Sequence, residues 1–358
     1  MVLCEKCEEA LQLAEQRGRP TIWDVAELAG VSIATVSRYM NGTQAVSKAA
    51  SNAIAQAMAQ LDYVPNANVR SIKLGQTRTV GIIVPDISNF FQARVCRRVE
   101  HLLYQKRYSL VIASTGNNTE KERSCIHNFL ERRVDGLLVS SAGQNNDLLG
   151  RAAKGGLPLV LFESYQPELP DLDYVLEDSY GHACRLTRSL LERGHRRISF
   201  LKGFEHSTVS EARFAGFCDT LCAAGLAPDP ALIWEGCRDR ADCVRVFEAL
   251  RREPGRFTAV AATTPEQMKF LVMEANRQGV RIPQDVSLTG FGIEDYTALF
   301  PFSATCVVSD PLANADALVE LILRRMDEVR TGKSPAPAEK RIIPCQFFTG
   351  NSVACVTP

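Results

Sequence analysis

Between Val31 and Gly42 the chain runs VSIATVSRYMNG, and the polar residues there are of an unusual kind. Ser32, Thr35 and Ser37 carry short hydroxyls, Arg38 a guanidinium and Asn41 an amide. Helical spacing leaves these groups on the polar side and turns Val36 and Met40 inward. A solvated helix face usually carries Glu and Lys, and this one carries neither. Short hydroxyls contact phosphates or bases, and an arginine pairs with guanine through two parallel bonds. Glutamates in their place would repel phosphate.

Such groups can read a nucleic acid only if rigid elements present them. Thr21 caps a helix starting at Ile22, with Asp24 three residues on, which makes a near capping box. Ile22, Val25, Ala26 and Ala29 recur on one face. Gly30 ends this helix, Val31 plugs the turn, and Ser32 caps the next helix. Helix, short glycine turn and helix form the helix-turn-helix plan, whose second helix enters a major groove. A third helix is expected from a Ser47 cap to about Leu61, with Ile54, Met58 and Leu61 as its apolar stripe and Pro65 as its stop. PNANVRSIKLGQTRT then reads as a polar linker with weak helical tendency.

Charge and composition agree with this division. The chain has no formal net charge, yet residues 17 to 78 hold seven basic and three acidic side chains. A positive head thus precedes a net-negative remainder, which favours a nucleic-acid partner for the head. The 358 residues, 46% of them hydrophobic, are enough for two or three globular domains and are not of disordered composition. No signal peptide and no run of about 18 apolar residues is visible, so a cytoplasmic location and no membrane are expected. The twelve cysteines are then reduced. Cys4 and Cys7 form one C-x-x-C pair without a second, so neither metal nor cofactor is expected. Residues 1–20 read as an extension, with helical spacing in CEEALQLAEQ.

From residue 79 onward, short apolar runs such as TVGIIVPD, SLVIAST, VDGLLVSS, TAVAATT and DVSLTGFG alternate with amphipathic helices of about 12 to 15 residues. This is the pattern of a doubly wound α/β body with parallel sheets, long enough for two halves. Ligands of that class bind beyond the carboxyl ends of the strands. The loops concerned are 86–91, 140–144, 162–166, 205–213, 264–267 and 291–295, which bring in Asp86, Thr264, Gln267 and Phe291 as candidates. An α/β enzyme is one alternative, but GxSxG, GxxxxGK[ST] and HExxH motifs are absent. GFG at 290–292 lacks the third glycine of a dinucleotide site, and the five histidines show no ligand spacing. An exported sugar-binding protein is the other alternative, and it leaves the head unexplained.

The stretch TIWDVAELAGVSIATVSRYMNG, followed by VS and by LDYVPNANVRSIKLGQTRTVGIIVPDISNFF, resembles the lactose-repressor/galactose-repressor (LacI/GalR) family of bacterial transcription regulators. The resemblance runs from Thr21 to about Phe347, and its head motif is very specific. It implies an all-α helix-turn-helix headpiece over 21–65, a hinge helix or linker over 66–78, and a periplasmic-binding-protein-like body of two doubly wound subdomains. Those subdomains are expected to comprise 79–175 with 306–335, and 176–305 with 336–358. Ile33 and Ala34 fall on the variable base-reading positions, and Thr35, Ser37 and Arg38 on groove and backbone contacts. Thr21, Ser32 and Asn41 join them from the head, and Asn66, Arg70, Ser71 and Ile72 from the hinge, with Ile72 as the minor-groove wedge. The family commonly has leucine at that wedge, and a Thr-Arg pair where this chain has Ala50 and Ser51. One phosphate contact fewer implies weaker binding.

In the body, the resemblance gives Arg213 as the effector anchor, Glu163 where the family often has aspartate, and Ser140 and Phe90 as cleft residues. An asparagine of the family is Pro265 here, an acid is Gly292, and an arginine used for purines is Ser207. These departures imply a sugar, polyol or sugar derivative of unusual kind. They accompany a homodimer on a pseudo-palindromic operator, in which effector binding changes the angle between subdomains and so the folding of the hinge. The C-terminal stretch contains no heptad, so a coiled-coil tetramer is not expected.

Overall fold

Apolar periodicity sets the elements of the computed structural model, which describes residues 20–41, 45–64, 76–203, 207–237, 239–292 and 297–356. The chain divides between Thr77 and Arg78 into two units. The first holds helices α1 (Ile22–Leu28), α2 (Ile33–Asn41) and α3 (Lys48–Gln60). The backbone N–H and the hydroxyl of Thr21 both donate to the Asp24 carboxylate, each at 2.7 Å, and fix the start of α1. Gly30 has φ +64, the left-handed conformation that lets the chain leave α1 and begin α2 shortly afterwards. Ser47 accepts a bond from the Ala50 N–H at 3.3 Å and opens α3. Val25, Ala26, Val36, Ile54, Ala57 and Leu61 form the core, with Val31, Met40 and Met58 packed around it. These small-to-medium side chains make a modest core, each worth up to about 3 kcal/mol. The caps are therefore a sizeable part of this unit's stability.

The second unit contains two largely parallel sheets. The first comprises β1 (Thr79–Val84), β2 (Ser109–Ser114), β3 (Gly136–Val139), β4 (Leu159–Phe162), β5 (Asp173–Glu177) and β11 (Lys340–Ile343). Its order is β11-β5-β4-β3-β1-β2, and every pair is parallel. Helices α4 (Phe90–Gln105), α5 (Thr119–Glu131), α6 (Asn146–Lys154) and α11 (Pro311–Thr331) belong with it. The second sheet comprises β6 (Ile198–Leu201), β7 (Ile233–Trp234), β8 (Ala259–Ala262), β9 (Ser287–Gly292), β10 (Thr305–Val308) and β12 (Gln346–Phe348). Its order is β12-β10-β9-β8-β6-β7, with β12 antiparallel to β10. Helices α7 (Ser179–Leu191), α8 (Thr208–Ala223), α9 (Arg240–Arg252) and α10 (Pro265–Gln278) pack around it. Strands such as VGIIV and GLLV are continuous apolar runs because parallel sheets are covered on both faces.

Three crossings join the halves, after β5, β10 and β11. They correct the expected boundaries. β10, placed with the first half from residue 306, pairs with β9 and β12 in the second. β11, placed with the second half, pairs with β5 in the first. Asp173 holds that edge: its carboxylate receives two bonds from Arg325 on α11, at 2.6 and 2.8 Å, and one from the Glu339 N–H. A short strand such as β11, whose partner lies far away in the chain, carries no local mark of the sheet it joins. β5 is also absent from the sequence pattern, since DYVLE lies between polar turns.

Candidate functional site

In the head, α2 carries the groups singled out by their chemistry. Ser32, Ala34, Thr35, Ser37 and Arg38 present the open side of that helix, with Ser32, Ala34 and Arg38 exposed and Thr35 and Ser37 partly so. The Ser32 hydroxyl accepts from the Thr35 N–H at 3.2 Å and lies 2.9 Å from the Thr35 hydroxyl. Both hydroxyls thus help to start the helix while staying at its open end. Ile33 packs partly against the head core, so only part of it faces outward. Thr21 starts α1, its hydroxyl donating to Asp24. Asn66, Arg70, Ser71 and Ile72 lie outside the described residues, as does the Asn41 side chain. Sequence reasoning passed over Trp23, which is 67% exposed on α1. Its signal was a large aromatic placed off the Ile22–Val25–Ala26–Ala29 stripe.

In the body, a cavity of about 400 Å³ is lined from both sheets at the carboxyl ends of their strands. Asp86, Thr264 and Phe291, brought in by their loops, and Ser140, Glu163 and Arg213, given by the family resemblance, line it. Two candidates do not. Phe90 is half-buried against the first sheet's core and does not line the cavity, whereas Phe91, a buried member of that core, does. One residue's advance along a helix turns a side chain by about 100°. Gln267 is buried: it donates to the Cys237 carbonyl at 2.7 Å and accepts from the N–H groups of Thr263 and Thr264 at 2.7 and 3.2 Å. It positions Thr264 from behind. Asn117, Thr119, Glu177, Ser309 and Asn314 line the cavity without having been foreseen. The last three sit at crossings between the sheets, and those crossings depend on tertiary pairing.

The charged centre of the cavity is built from Glu163, Glu177 and Arg213. Glu163 follows β4 directly with φ +62, an uncommon conformation for a residue with a side chain. Its Oε2 accepts from the Ser140 hydroxyl at 2.6 Å and from the Gln92 amide at 3.1 Å. Burial, opposed by these bonds and by Arg213 but reinforced by Glu177, raises its pKa from 4.5 to about 7. Glu177 accepts from Ser309 at 2.9 Å and from Asn314 at 3.3 Å, so it pins two crossings together. Arg213, on α8, donates Nη1 to the Thr263 carbonyl and lies over Phe291, 3.6 Å from the ring centroid. Burial disfavours its charge, while Glu177 first, then Cys345 and Glu163, support it. Its Nε is buried with no partner. An orphaned guanidinium N–H facing a cavity leaves a place for an acceptor on a ligand.

Nearby residues fix the walls. Glu122 on α5 is fully buried and accepts from Ser141 at 3.1 Å, the Ala142 N–H at 2.7 Å and Asn145 at 3.1 Å, which holds the loop after Ser140. Thr264 caps α10, accepting from the Gln267 N–H at 3.2 Å, and Pro265 is the first residue of that helix. Ser207 caps α8 and faces the cavity. A Cβ on Gly292 would lie 2.8 Å from the Thr297 methyl, and Gly292 itself is not among the lining residues. Among the described residues, no cluster of three His, Cys, Asp or Glu could hold a metal, and no helix is long and apolar enough to cross a membrane.

Comparison with known proteins gives matches to both units. Residues 77–349 match the periplasmic binding proteins and sugar-binding domain of the LacI family, and residues 21–66 match the bacterial regulatory proteins of the lacI family. The HTH-type transcriptional repressor PurR of Vibrio atlanticus is 31% identical over 311 residues, covering 86% of this chain and 92% of that protein. The PurR of Photobacterium profundum is 30% identical over 312 residues, with the same shares of 86% and 92%. A structure of the transcriptional regulator CelR in complex with cellobiose aligns with TM-score 0.66 and 25% identity, over 93% of this chain and 100% of that one. The lac repressor dimer bound to operator and the anti-inducer ONPF aligns with TM-score 0.76 over 94% and 99%. At 19% identity that likeness speaks for the fold.

Proposed function

This chain belongs to the LacI family of bacterial regulatory proteins, and on that premise we propose that it is a repressor of transcription that works as a homodimer on a pseudo-palindromic operator. Two-fold protein symmetry matches two half-sites. In each subunit α2 lies in the major groove, with Ser32, Ala34, Thr35, Ser37 and Arg38 at its working face. The hinge around Ile72 kinks the centre of the operator, and intercalation of an apolar side chain suits that purpose. A small molecule, a sugar or sugar derivative, binds in the cleft against Glu163 and Arg213. A cellobiose complex of the similar regulator CelR supports a sugar-type ligand. A DNA-reading protein of this kind works in the cytoplasm, as a regulator and not as an enzyme.

The observation that carries the effector reading is the buried, unpartnered Nε of Arg213 in a cavity lined from both sheets. A ligand spanning the cavity touches both halves, so its binding favours one angle between them. The resulting change in operator affinity is limited by the ligand's differential affinity for the two angles. A thermal-shift panel of sugars, sugar phosphates, sugar acids, polyols and nucleobases tests this directly. A ligand at a hundred times its Kd adds about 2.7 kcal/mol of stability, and Arg213→Ala abolishes the shift. A hit that Arg213→Ala leaves intact puts the site elsewhere. Failure of the protein to retard any operator-like duplex at low salt removes the DNA-binding half of the proposal.

A further inference from the structure

Charge around the cavity is unbalanced. Four carboxyl groups line it, from Asp86, Glu163, Glu177 and Glu266, while Arg213 is the one lysine or arginine side chain among the described lining residues. Lys269 acts on Glu266 from outside that lining. Two of the four carboxylates are occupied. Asp86 receives the N–H and hydroxyl of Ser88, and Glu177 receives Ser309 and Asn314. The other two are partly filled, each with one oxygen left over. Both bonds to Glu163 fall on Oε2, and Oε1 accepts none from any described residue. Oε1 of Glu266 is buried without a partner, and so, facing the opposite need, is Nε of Arg213. The open requirements are therefore donors for two carboxylates and one acceptor for a guanidinium.

We propose that the effector of this cleft carries an ammonium group together with hydroxyls, as an amino sugar or a polyhydroxylated amine does. The proposal rests on the reading of the cleft as an effector site. The ligand's ammonium lies against Glu163, with Glu177 behind, in a place where a cation offsets two part-buried carboxyl groups. One hydroxyl oxygen accepts from Nε of Arg213, and a hydroxyl hydrogen is donated to Glu266. A cavity of about 400 Å³ suits a ligand of this size. A sugar phosphate or sugar acid would bring a further negative charge to four carboxyl groups facing one arginine. A neutral hexose would fill the hydroxyl positions and leave the surplus charge uncompensated.

The test is isothermal titration of the full-length protein at about pH 7, where the amino sugars are mostly ammonium ions. The probes are glucosamine, galactosamine, mannosamine and the ring amine 1-deoxynojirimycin, with each parent hexose, each N-acetyl derivative and each corresponding uronic acid. At least one amine is expected to bind roughly ten- to hundredfold tighter than its parent hexose and its N-acetyl form, the effect of a hydrogen bond between charged groups. Glu163→Gln is expected to erase that preference, with circular dichroism confirming that the variant is folded. A neutral sugar or an acid binding as tightly as any amine overturns the ammonium assignment and leaves the cleft as an effector site. Silence from every amine also overturns it, and silence from the whole panel takes the sugar-type effector reading down as well.

Discussion

Replacing Glu163 by glutamine should make the body more stable at alkaline pH, although it removes a charged residue from the candidate ligand cleft. Burial is the first cause that raises this carboxyl from 4.5 to about 7, and nearby Glu177 adds to it. Between those values the folded protein keeps a proton that the unfolded chain has released. Stability therefore falls as pH rises from about 4.5 through about 7, and the cost is constant above that. The interval is 7 − 4.5, and at about 1.36 kcal/mol per pH unit it sets a ceiling of roughly 3 kcal/mol. Glutamine keeps the shape and can still accept from Ser140 and Gln92, so the uncharged variant avoids the cost. Other carboxylates titrate in both proteins and cancel in the difference. The assay is the melting temperature of each protein from pH 4.5 to 8. The gap should widen in favour of Glu163→Gln by several degrees, at about 2 °C per kcal/mol for a unit of this size. Parallel curves would refute the assignment of a buried, destabilised carboxylate, and a gap that widens in favour of the wild type would show that its bonds outweigh its burial.

Three further outcomes follow from other parts of the molecule. Arg38→Ala should weaken operator binding by about 1–3 kcal/mol in fluorescence anisotropy, and an unchanged affinity would contradict the placement of α2 in the groove. Asp173→Ala takes the bidentate partner from the part-buried Arg325, which keeps Glu328 and two backbone carbonyls, and urea unfolding of the body should register a loss of about 1.5–3 kcal/mol; a loss under about 1 kcal/mol would mean that α11 and β11 are held by other contacts. Gly290→Ala places a Cβ 2.6 Å from the Ala262 carbonyl oxygen in the middle of the second sheet. A destabilisation of about 1–3 kcal/mol is expected, and a neutral result would show that β8 and β9 can part.

Local chemistry was legible in the sequence. Thr21, Gly30, Ser32 and Ser47 mark their helix ends because caps and left-handed turns are decided within a few residues, and each of these ends is where it was expected. The apolar runs of β1 and β3 declared buried strands of a parallel sheet for the same reason. Asp86, Thr264 and Phe291 came from the rule that ligand loops follow strand ends in this class of fold, while Ser140, Glu163 and Arg213 came from the family resemblance. Other features were decided by tertiary structure alone. Whether Phe90 or Phe91 enters the cavity depends on how α4 is rotated against the first sheet. Whether Gln267 meets a ligand or the Cys237 carbonyl depends on a loop distant from it in the chain. The edge position of β11 depends on β5, far away in sequence, and on the Asp173–Arg325 pair. Glu177, Ser309 and Asn314 became cleft residues only where the chain crosses between sheets. Sequence patterns record what a residue needs from its neighbours along the chain, and these side chains are placed by partners that only folding brings near.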